Sequence, residues 1–494
     1  MSKAETTLCD LGCTTYGAHQ VAITGLAVNS RDVQPGNLFA ALPGLQVHGA
    51  AHIGMALQRG AAGLLTDPAG AALAAADLAS SNAWLWVSED PRQTLAMAAA
   101  LWFSQQPETQ VAVTGTNGKT SVASFVRQIW CKIGHPAINL GTNGVQGEWY
   151  APLAHTTPEP ITLHRLLSQA KAAGVTHAAM EASSHGLQQR RLDGVVLRAA
   201  GFTNFSQDHL DYHDNFANYF AAKARLFSQV LGEQGYAVLH IDDPKSADLR
   251  SIAEARGQRV IGVGRNPAAD LHLIVQRFDA AGQLLRFKWH NSTYQAQLAL
   301  VGGFQADNAL LAAGLVIACG ANPEAVFDTL PALTTVRGRM EQVAVRDNGA
   351  VVFVDFAHTP NAIATALRSL RPHVIGRLVV IIGAGGDRDR GKRALMGRAA
   401  TDHADLVIVT DDNPRKEDPD LIRDMVLQAA PGALNVPDRA AAILRGVDTL
   451  GPGDALLIAG KGHETTQTIG DAVFPFDDSE QASIAVAALE GRLA

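Results

Sequence analysis

The chain has 494 residues, roughly three typical domain lengths of about 150, and its 47% apolar and 18% charged residues describe an ordinary globular protein, not a collagen-like or disordered one. Against 47 Asp and Glu stand 40 Lys and Arg, and the net charge of -7 offers no electrostatic footprint for DNA or another polyanion, so nucleic acid is not an expected partner. No apolar run approaches the roughly 18 residues of a membrane span, the N-terminus lacks a signal-like apolar core, and Cys9, Cys13, Cys131 and Cys319 form no CxxC pair; a cytoplasmic chain with reduced, mostly structural cysteines is expected.

From 1 to about 105 the text is Ala-rich, with short apolar runs at 37–42 and 84–87 set between Pro-Gly turns, which predicts a small α/β domain. Near Gln110 the style changes: an apolar strand at 111–113 runs into Thr114-Gly115-Thr116-Asn117-Gly118-Lys119-Thr120-Ser121 and then into an amphipathic helix through Cys131. Strands are predicted at 178–180, 199–203 and 237–241, each ending in polar residues, as in an α/β sheet whose chemistry sits at strand C-termini. After Arg339 the pattern restarts with apolar runs at 351–354, 378–382, 406–409 and 455–458, each opening into a Gly- or Asp-rich loop, which predicts a second doubly wound sheet.

The loop 115–120 has the chemistry of a phosphate cradle. Its glycines let backbone N–H groups approach phosphate, Lys119 can reach the outer phosphates, and the Thr120 hydroxyl can ligate Mg²⁺, although Val113 stands where the strict GxxxxGK[ST] pattern has its first Gly. Gly383-Ala384-Gly385-Gly386-Asp387-Arg388 also follows a strand, but Arg388 occupies the third Gly position of a dinucleotide fingerprint, so NAD is not expected. The cations Arg388, Arg390, Lys392 and Arg393 read either as a solvated helix start or as an anion site. His209 and His463 lie near carboxylates without completing HExxH, because Leu210 and Gln467 stand at the decisive places, which disfavours zinc. Glu181, just past a predicted strand, reads as a Mg²⁺ ligand or as a helix-capping acid. Lys223, on a predicted helix, reads by itself as an ordinary solvated lysine.

Taken in order, TGTNGKTS, TTPEP, MEASSHGLQQRR, TNFSQDHLDYH, the lysine of AAK, VRGRME, VDFAHTP, GAGGDRDRGKR, DDNPRKEDP and AGKGHETTQ resemble the Mur ligase family, most closely its diaminopimelate-adding branch. The resemblance implies an α/β fold in three domains: a UDP-moiety-binding domain at 1–105, a central ATP-binding domain at 106–337 with a P-loop ATPase-like doubly wound sheet, and an amino-acid-binding domain at 338–494 with a Rossmann-like sheet. It also implies the activity. An ATP- and Mg²⁺-dependent ligase would add meso-2,6-diaminopimelate to UDP-N-acetylmuramoyl-L-alanyl-D-glutamate through an acyl phosphate, in cytoplasmic peptidoglycan precursor synthesis.

Residue by residue, the resemblance implies ATP contacts at Gly115, Thr116, Asn117, Gly118, Lys119, Thr120, Ser121, Asn308, Arg339, Asp355 and His358. Thr120, Glu181, His209 and Lys223, the last as a CO₂-derived carbamate, would serve the metal. Val28, Ser30, Thr156, Thr157, Ser183, Gln189 and Arg191 resemble the muramoyl-dipeptide contacts, and Arg388, Asp412, Asn413, Arg415, Gly460 and Glu464 the amino-acid pocket. Four positions depart from the family's usual residues: Asn29 and His48 stand where Asp is usual, Gln305 where Asn is common, and Phe356 where Tyr is common. Three other readings compete: a lysine-adding ligase of the same family, a folate polyglutamate synthetase with the same ATP core, and a binding protein that uses ATP only as a conformational switch.

Overall fold

A computed structural model of the chain describes residues 6–15, 17–44, 47–206, 212–213, 215–279 and 282–492. The chain divides into two compact units, Met1–Lys119 with Trp130–Leu239 and Asp243–Ile261, and Thr120–Ile129 with His240–Asp242 and Gly262–Ala494.

In the first unit a four-stranded parallel sheet runs in the order Gly25–Ala27, Asn37–Ala40, Gly63–Thr66, Trp84–Val87. Alternate residues of one strand feed opposite faces: Leu38 and Ala40 pack with Leu8, Leu65 and Leu95, whereas Phe39 and Ala41 pack with Ile53, Ala56 and Leu64. Burial on both faces is why the run is apolar throughout from 38 to 42; the strand stops at Ala40, ahead of the Pro43-Gly44 turn.

Six strands of a larger sheet lie in the order Tyr236–His240, Ala199–Phe202, Thr109–Thr114, His177–Glu181, Ala137–Gly141, Gly144–Gly147, parallel except for the last pair. Thr109–Thr114 is flanked by Ala199–Phe202 on one side and His177–Glu181 on the other. The chain winds away from it in both directions, which makes its carboxyl end, where the glycine loop 115–120 begins, the switch point of the sheet.

In the second unit a six-stranded sheet runs Glu341–Val345, Val351–Asp355, Ala455–Ala459, Leu378–Ile382, Leu406–Val409, Leu434–Asn435, antiparallel only at the first pair. Both faces carry helices. Val380, Ile382 and Leu457 pack with Ile363, Leu367 and Met396, while Val379, Ile381 and Ile458 pack with Ile443, Val447 and Ala482. This unit also holds an antiparallel ladder of Leu271–Asp279, Gly282–Trp289 and Ser292–Leu298, which the apolar runs of the sequence do not predict. A weaker signal is present, since buried Leu285 and Phe287 alternate with exposed Arg286 and Lys288.

Beside the strand Ala455–Ala459 lies a wholly buried ion pair. Arg439 donates from Nε and Nη2 to the Asp478 carboxylate at 2.7 and 2.6 Å, and Nη2 also reaches the Ala459 carbonyl at 3.1 Å. Burial pulls the guanidinium pKa down, but the charge and hydrogen bonds of Asp478, with the charges of Asp412 and Glu464, together raise it above its usual value. Asp478→Ala would strand a buried cation, so we expect a loss of about 3–5 kcal/mol in unfolding free energy. Urea denaturation checks this, and a change under about 1 kcal/mol would contradict it.

Candidate active site

In the first unit the loop after Thr109–Thr114 is shaped by two left-handed glycines, Gly115 at φ 145° and Gly118 at φ 86°. A Cβ on Gly115 would lie 1.9 Å from Thr203 Oγ1, so only glycine fits this approach. Asn204 clasps the loop from the neighbouring strand end, accepting from Thr116 N through its carbonyl and from Asn117 N through Oδ1, each at 2.9 Å.

Lys119, at the start of the helix Lys119–Lys132, folds back to donate to the carbonyls of Gly115 at 2.9 Å and Thr116 at 2.8 Å. Lys223 donates to the same Gly115 carbonyl at 2.7 Å and lies 4.6 Å from the centre of the Tyr219 ring. At 1% exposure it is among the most buried polar groups, which overturns its reading as a solvated lysine. The helix Phe216–Arg225 is the one expected there; which face it turns inward is what the sequence leaves open.

Glu181 ends its strand with a buried carboxylate whose Oε1 accepts from Thr142 N at 2.8 Å. Thr142 Oγ1 pairs with Thr156 Oγ1 at 3.1 Å, and Thr157 Oγ1 donates to the Glu181 carbonyl at 2.8 Å and accepts from Ser183 N at 3.1 Å. Ser183 Oγ in turn caps the short helix Ser184–Gln188. Arg191 donates to the Thr157 carbonyl and to Gln189 Oε1, at 2.6 and 2.8 Å, and Gln189 Nε2 donates to the Tyr212 hydroxyl at 3.0 Å. Thr156, Thr157, Ser183, Gln189 and Arg191 are therefore one connected network with Glu181.

Val28 and Arg191 line a common cavity of about 170 Å³. Ser30 is buried, with its hydroxyl 3.4 Å from Met55 Sδ. Two departures from the usual residues keep a local job: Asn29 Oδ1 caps the turn Ser30–Asp32, and His48 Nδ1 accepts from Ala50 N while Nε2 sits 3.1 Å from Asp67. His209 lies outside the described residues.

Within the second unit, Arg339 Nη2 reaches Thr120 Oγ1 at 3.5 Å, and its guanidinium lies 4.6 Å from the Phe356 ring centre. A phenyl ring suffices for that contact, so the tyrosine hydroxyl is dispensable there. Ser121, next to Thr120, is buried. Burial pushes the Asp355 carboxyl up, while Arg339 and the amides of Met340 and Ala357 pull it back. His358 Nδ1 lies 2.8 Å from the Phe356 carbonyl. Asn308 and Gln305 are buried on the helix Phe304–Ala318, with Asn308 Nδ2 donating to Gln305 Oε1 at 3.1 Å. Among the described residues, Gln305 Nε2 has no hydrogen-bond partner.

The C-terminal loops of the six-stranded sheet gather the remaining residues. Arg415, in a left-handed conformation at φ 52°, donates from Nη1 to the Gly386 carbonyl at 2.7 Å. Asp412 and Asn413 are buried; Asn413 Nδ2 donates to Glu464 Oε2 at 2.9 Å. Gly460 has φ 118°, and a Cβ there would lie 2.7 Å from Asp412 Oδ2.

The basic cluster divides. Arg388 and Arg390 are exposed, whereas Arg393 is buried against Glu417, whose pKa falls to about 2 chiefly through the Arg393 hydrogen bonds. Sequence reasoning alone also passes over Lys461, wholly buried and donating to Asn413 Oδ1 at 3.2 Å and Glu464 Oε2 at 3.4 Å. It stands inside the motif AGKGHE, but lysine alone gives no sign of burial.

Models of Mur ligase domains match this chain at three stretches: the Mur ligase family catalytic domain at 22–101, the Mur ligase middle domain at 113–316 and the Mur ligase glutamate ligase domain at 338–462. A UDP-N-acetylmuramoyl-L-alanyl-D-glutamate–2,6-diaminopimelate ligase of Bradyrhizobium diazoefficiens is 48% identical over 471 residues, covering 94% of this chain and 95% of its own. A solved structure of a ligase with the same name superposes with a TM-score of 0.71 at 30% identity, over 99% of this chain and 100% of that one. The MurF ligase of Thermotoga maritima, solved in complex with ADP, shares the fold at a TM-score of 0.62 and 18% identity, over 94% and 98% of the two chains.

Proposed function

This chain belongs to the Mur ligase family, and from that premise we propose that it joins meso-2,6-diaminopimelate to UDP-N-acetylmuramoyl-L-alanyl-D-glutamate, with ATP converted to ADP and phosphate. The division into working parts follows the same reading: 1–105 takes the UDP moiety, 106–337 the ATP, and 338–494 the amino acid. The observation that carries it is full-length likeness, 48% identity over 94% of the chain, combined with the glycine loop 115–120, the buried Glu181 and the buried Asp412 and Asn413 of the C-terminal cluster.

A carboxylate cannot be attacked by an amine until an oxygen becomes a leaving group. The γ-carboxylate of the D-glutamyl residue therefore takes the terminal phosphoryl of ATP, giving ADP and an acyl phosphate; the amine of diaminopimelate then forms the amide and phosphate departs. Lys119 neutralises charge gathering on the transferred phosphoryl, and the amides at the N-terminus of the helix Lys119–Lys132 orient it. Mg²⁺, when bound, supplies the remaining positive charge. The donor set suits a hard cation: the Glu181 carboxylate and the Thr120 hydroxyl would offer it oxygen. Asn308, Arg339, Asp355 and His358 hold the nucleotide, with Gln305 Nε2 a donor left for the purine.

Lys223 acts as a carbamate. Its burial and its approach to the carbonyl that also holds Lys119 put two amines within one small polar site. An anionic carbamate there would add hard oxygens for Mg²⁺. We assign the reaction to the cytoplasm, where ATP is available.

Arg415 favours diaminopimelate over lysine. The two amino acids differ by one distal carboxylate, and Arg415 offers it a planar fork. The left-handed backbone at Arg415 and the rigid φ of Pro414 hold that fork ready. Lysine would leave the cation unmatched, for a preference of roughly thirtyfold or more. We expect kcat/KM to favour diaminopimelate in the wild type and the ratio to collapse in Arg415→Ala; equal wild-type values, or an unchanged ratio in the mutant, would refute this role.

A further inference from the structure

The cavity of about 170 Å³ is lined by Val28, Leu42, Leu95, Pro160 and Gln189 and by three charged residues, Arg92, Glu159 and Arg191. Arg92 stands on the first turn of the helix Pro91–Phe103 and donates through Nη2 to the Pro43 carbonyl. Its neighbour Arg191 is brought there by a sharp turn. Arg190 has φ 61°, which sends its own guanidinium to Asp90 at 2.6 Å and leaves Arg191 pointing to the Thr157 carbonyl and Gln189.

Carboxylates nearby are already engaged. Glu159 accepts from Ile161 N and Thr162 N through its two oxygens, and Asp90 accepts from Gln93 N besides pairing with Arg190. Neither Arg92 nor Arg191 has an ion-pair partner among the described residues, and burial together with the facing Arg92 charge depresses the Arg191 pKa. Two half-buried guanidinium groups facing one carboxylate, Glu159, leave the cavity lining with an excess of positive charge that an anionic group would balance.

We propose that Arg92 is a substrate-binding residue, forming with Arg191 a two-arginine clamp on an anionic group of the UDP-linked co-substrate. This rests on the reading of Arg191 as a contact to that co-substrate. The anion is either the diphosphate or a carboxylate of the dipeptide, and the bidentate fork of arginine fits both.

Calorimetric titration of the full chain with UDP-N-acetylmuramoyl-L-alanyl-D-glutamate tests it, alongside UDP-N-acetylglucosamine, which has the diphosphate without a carboxylate. Arg92→Gln is expected to weaken binding of the dipeptide nucleotide and raise its KM by about tenfold or more, with kcat held within about threefold. Arg92→Lys, keeping the charge but not the fork, should recover part of the loss. A matching loss for UDP-N-acetylglucosamine assigns the diphosphate; an unchanged affinity assigns the carboxylate. Unaltered binding in Arg92→Gln would overturn the proposal, as would equal losses in both variants accompanied by a lower unfolding midpoint, which would make Arg92 a strut for the Pro43 loop. If the wild type itself fails to bind the dipeptide nucleotide, the broader reading of the co-substrate falls, and the clamp with it.

Discussion

Lys119→Ala should lower kcat by about a hundredfold or more while leaving the far-ultraviolet spectrum and unfolding midpoint near wild type. The loop's shape does not depend on this side chain: it is set by the left-handed Gly115 and Gly118 and by the Asn204 contacts to Thr116 and Asn117. What the ammonium adds is charge. In its present place it donates to two loop carbonyls, and a triphosphate oxygen would offer it a stronger, charged acceptor. Removing one such donor from a site where phosphoryl charge accumulates typically costs about 10²–10³ in rate. Retention of more than about a tenth of kcat, under about 1.4 kcal/mol of barrier, would mean that this loop is not where the phosphoryl is transferred.

Lys223→Ala should be equally damaging and, unlike Lys119→Ala, repairable. If the working group is a carbamate, the alanine variant lacks two anionic oxygens in a space the size of a small acid. Formate or acetate should then restore part of the activity in a saturable way. The wild type supplied with ¹³C-bicarbonate should give a carbamate carbonyl resonance that Lys223→Ala lacks. Full activity of the uncomplemented variant would exclude the role, and a wild type without the resonance would leave Lys223 as a lysine held by the Gly115 carbonyl and the Tyr219 ring.

Where a function rides on local backbone chemistry, the sequence announces it. Gly115 and Gly118 between an apolar strand and an amphipathic helix specify the glycine loop 115–120, and the apolar runs near 351, 378, 406 and 455 specify the sheet that presents Asp412, Arg415 and Gly460. What stays illegible is burial of charge. Lys223, Lys461, Arg393 and Arg439 have side chains that sequence patterns assign to solvent, and each is almost wholly enclosed because a carbonyl or carboxylate from a distant segment meets it. The same limit hides Arg92, whose significance arises only when the turn at Arg190 sets Arg191 beside it. The antiparallel ladder at 271–298 escapes notice for another reason: its alternation is interrupted by a register shift between Leu273 and Val275, which breaks the two-residue period inside its first strand.

Phosphoryl transfer and amide formation are expected to belong to one reaction. Its most direct test is ADP release by the purified chain with Mg²⁺ and ATP, measured with neither co-substrate, with each alone and with both, and with the mass of the nucleotide product determined. Sustained ADP release is expected only when UDP-N-acetylmuramoyl-L-alanyl-D-glutamate and meso-2,6-diaminopimelate are both present, with one product molecule heavier by one diaminopimelate less water for each ADP. ADP release that is indifferent to the two co-substrates, with no such product, would contradict it and identify a nucleotide-driven switch instead.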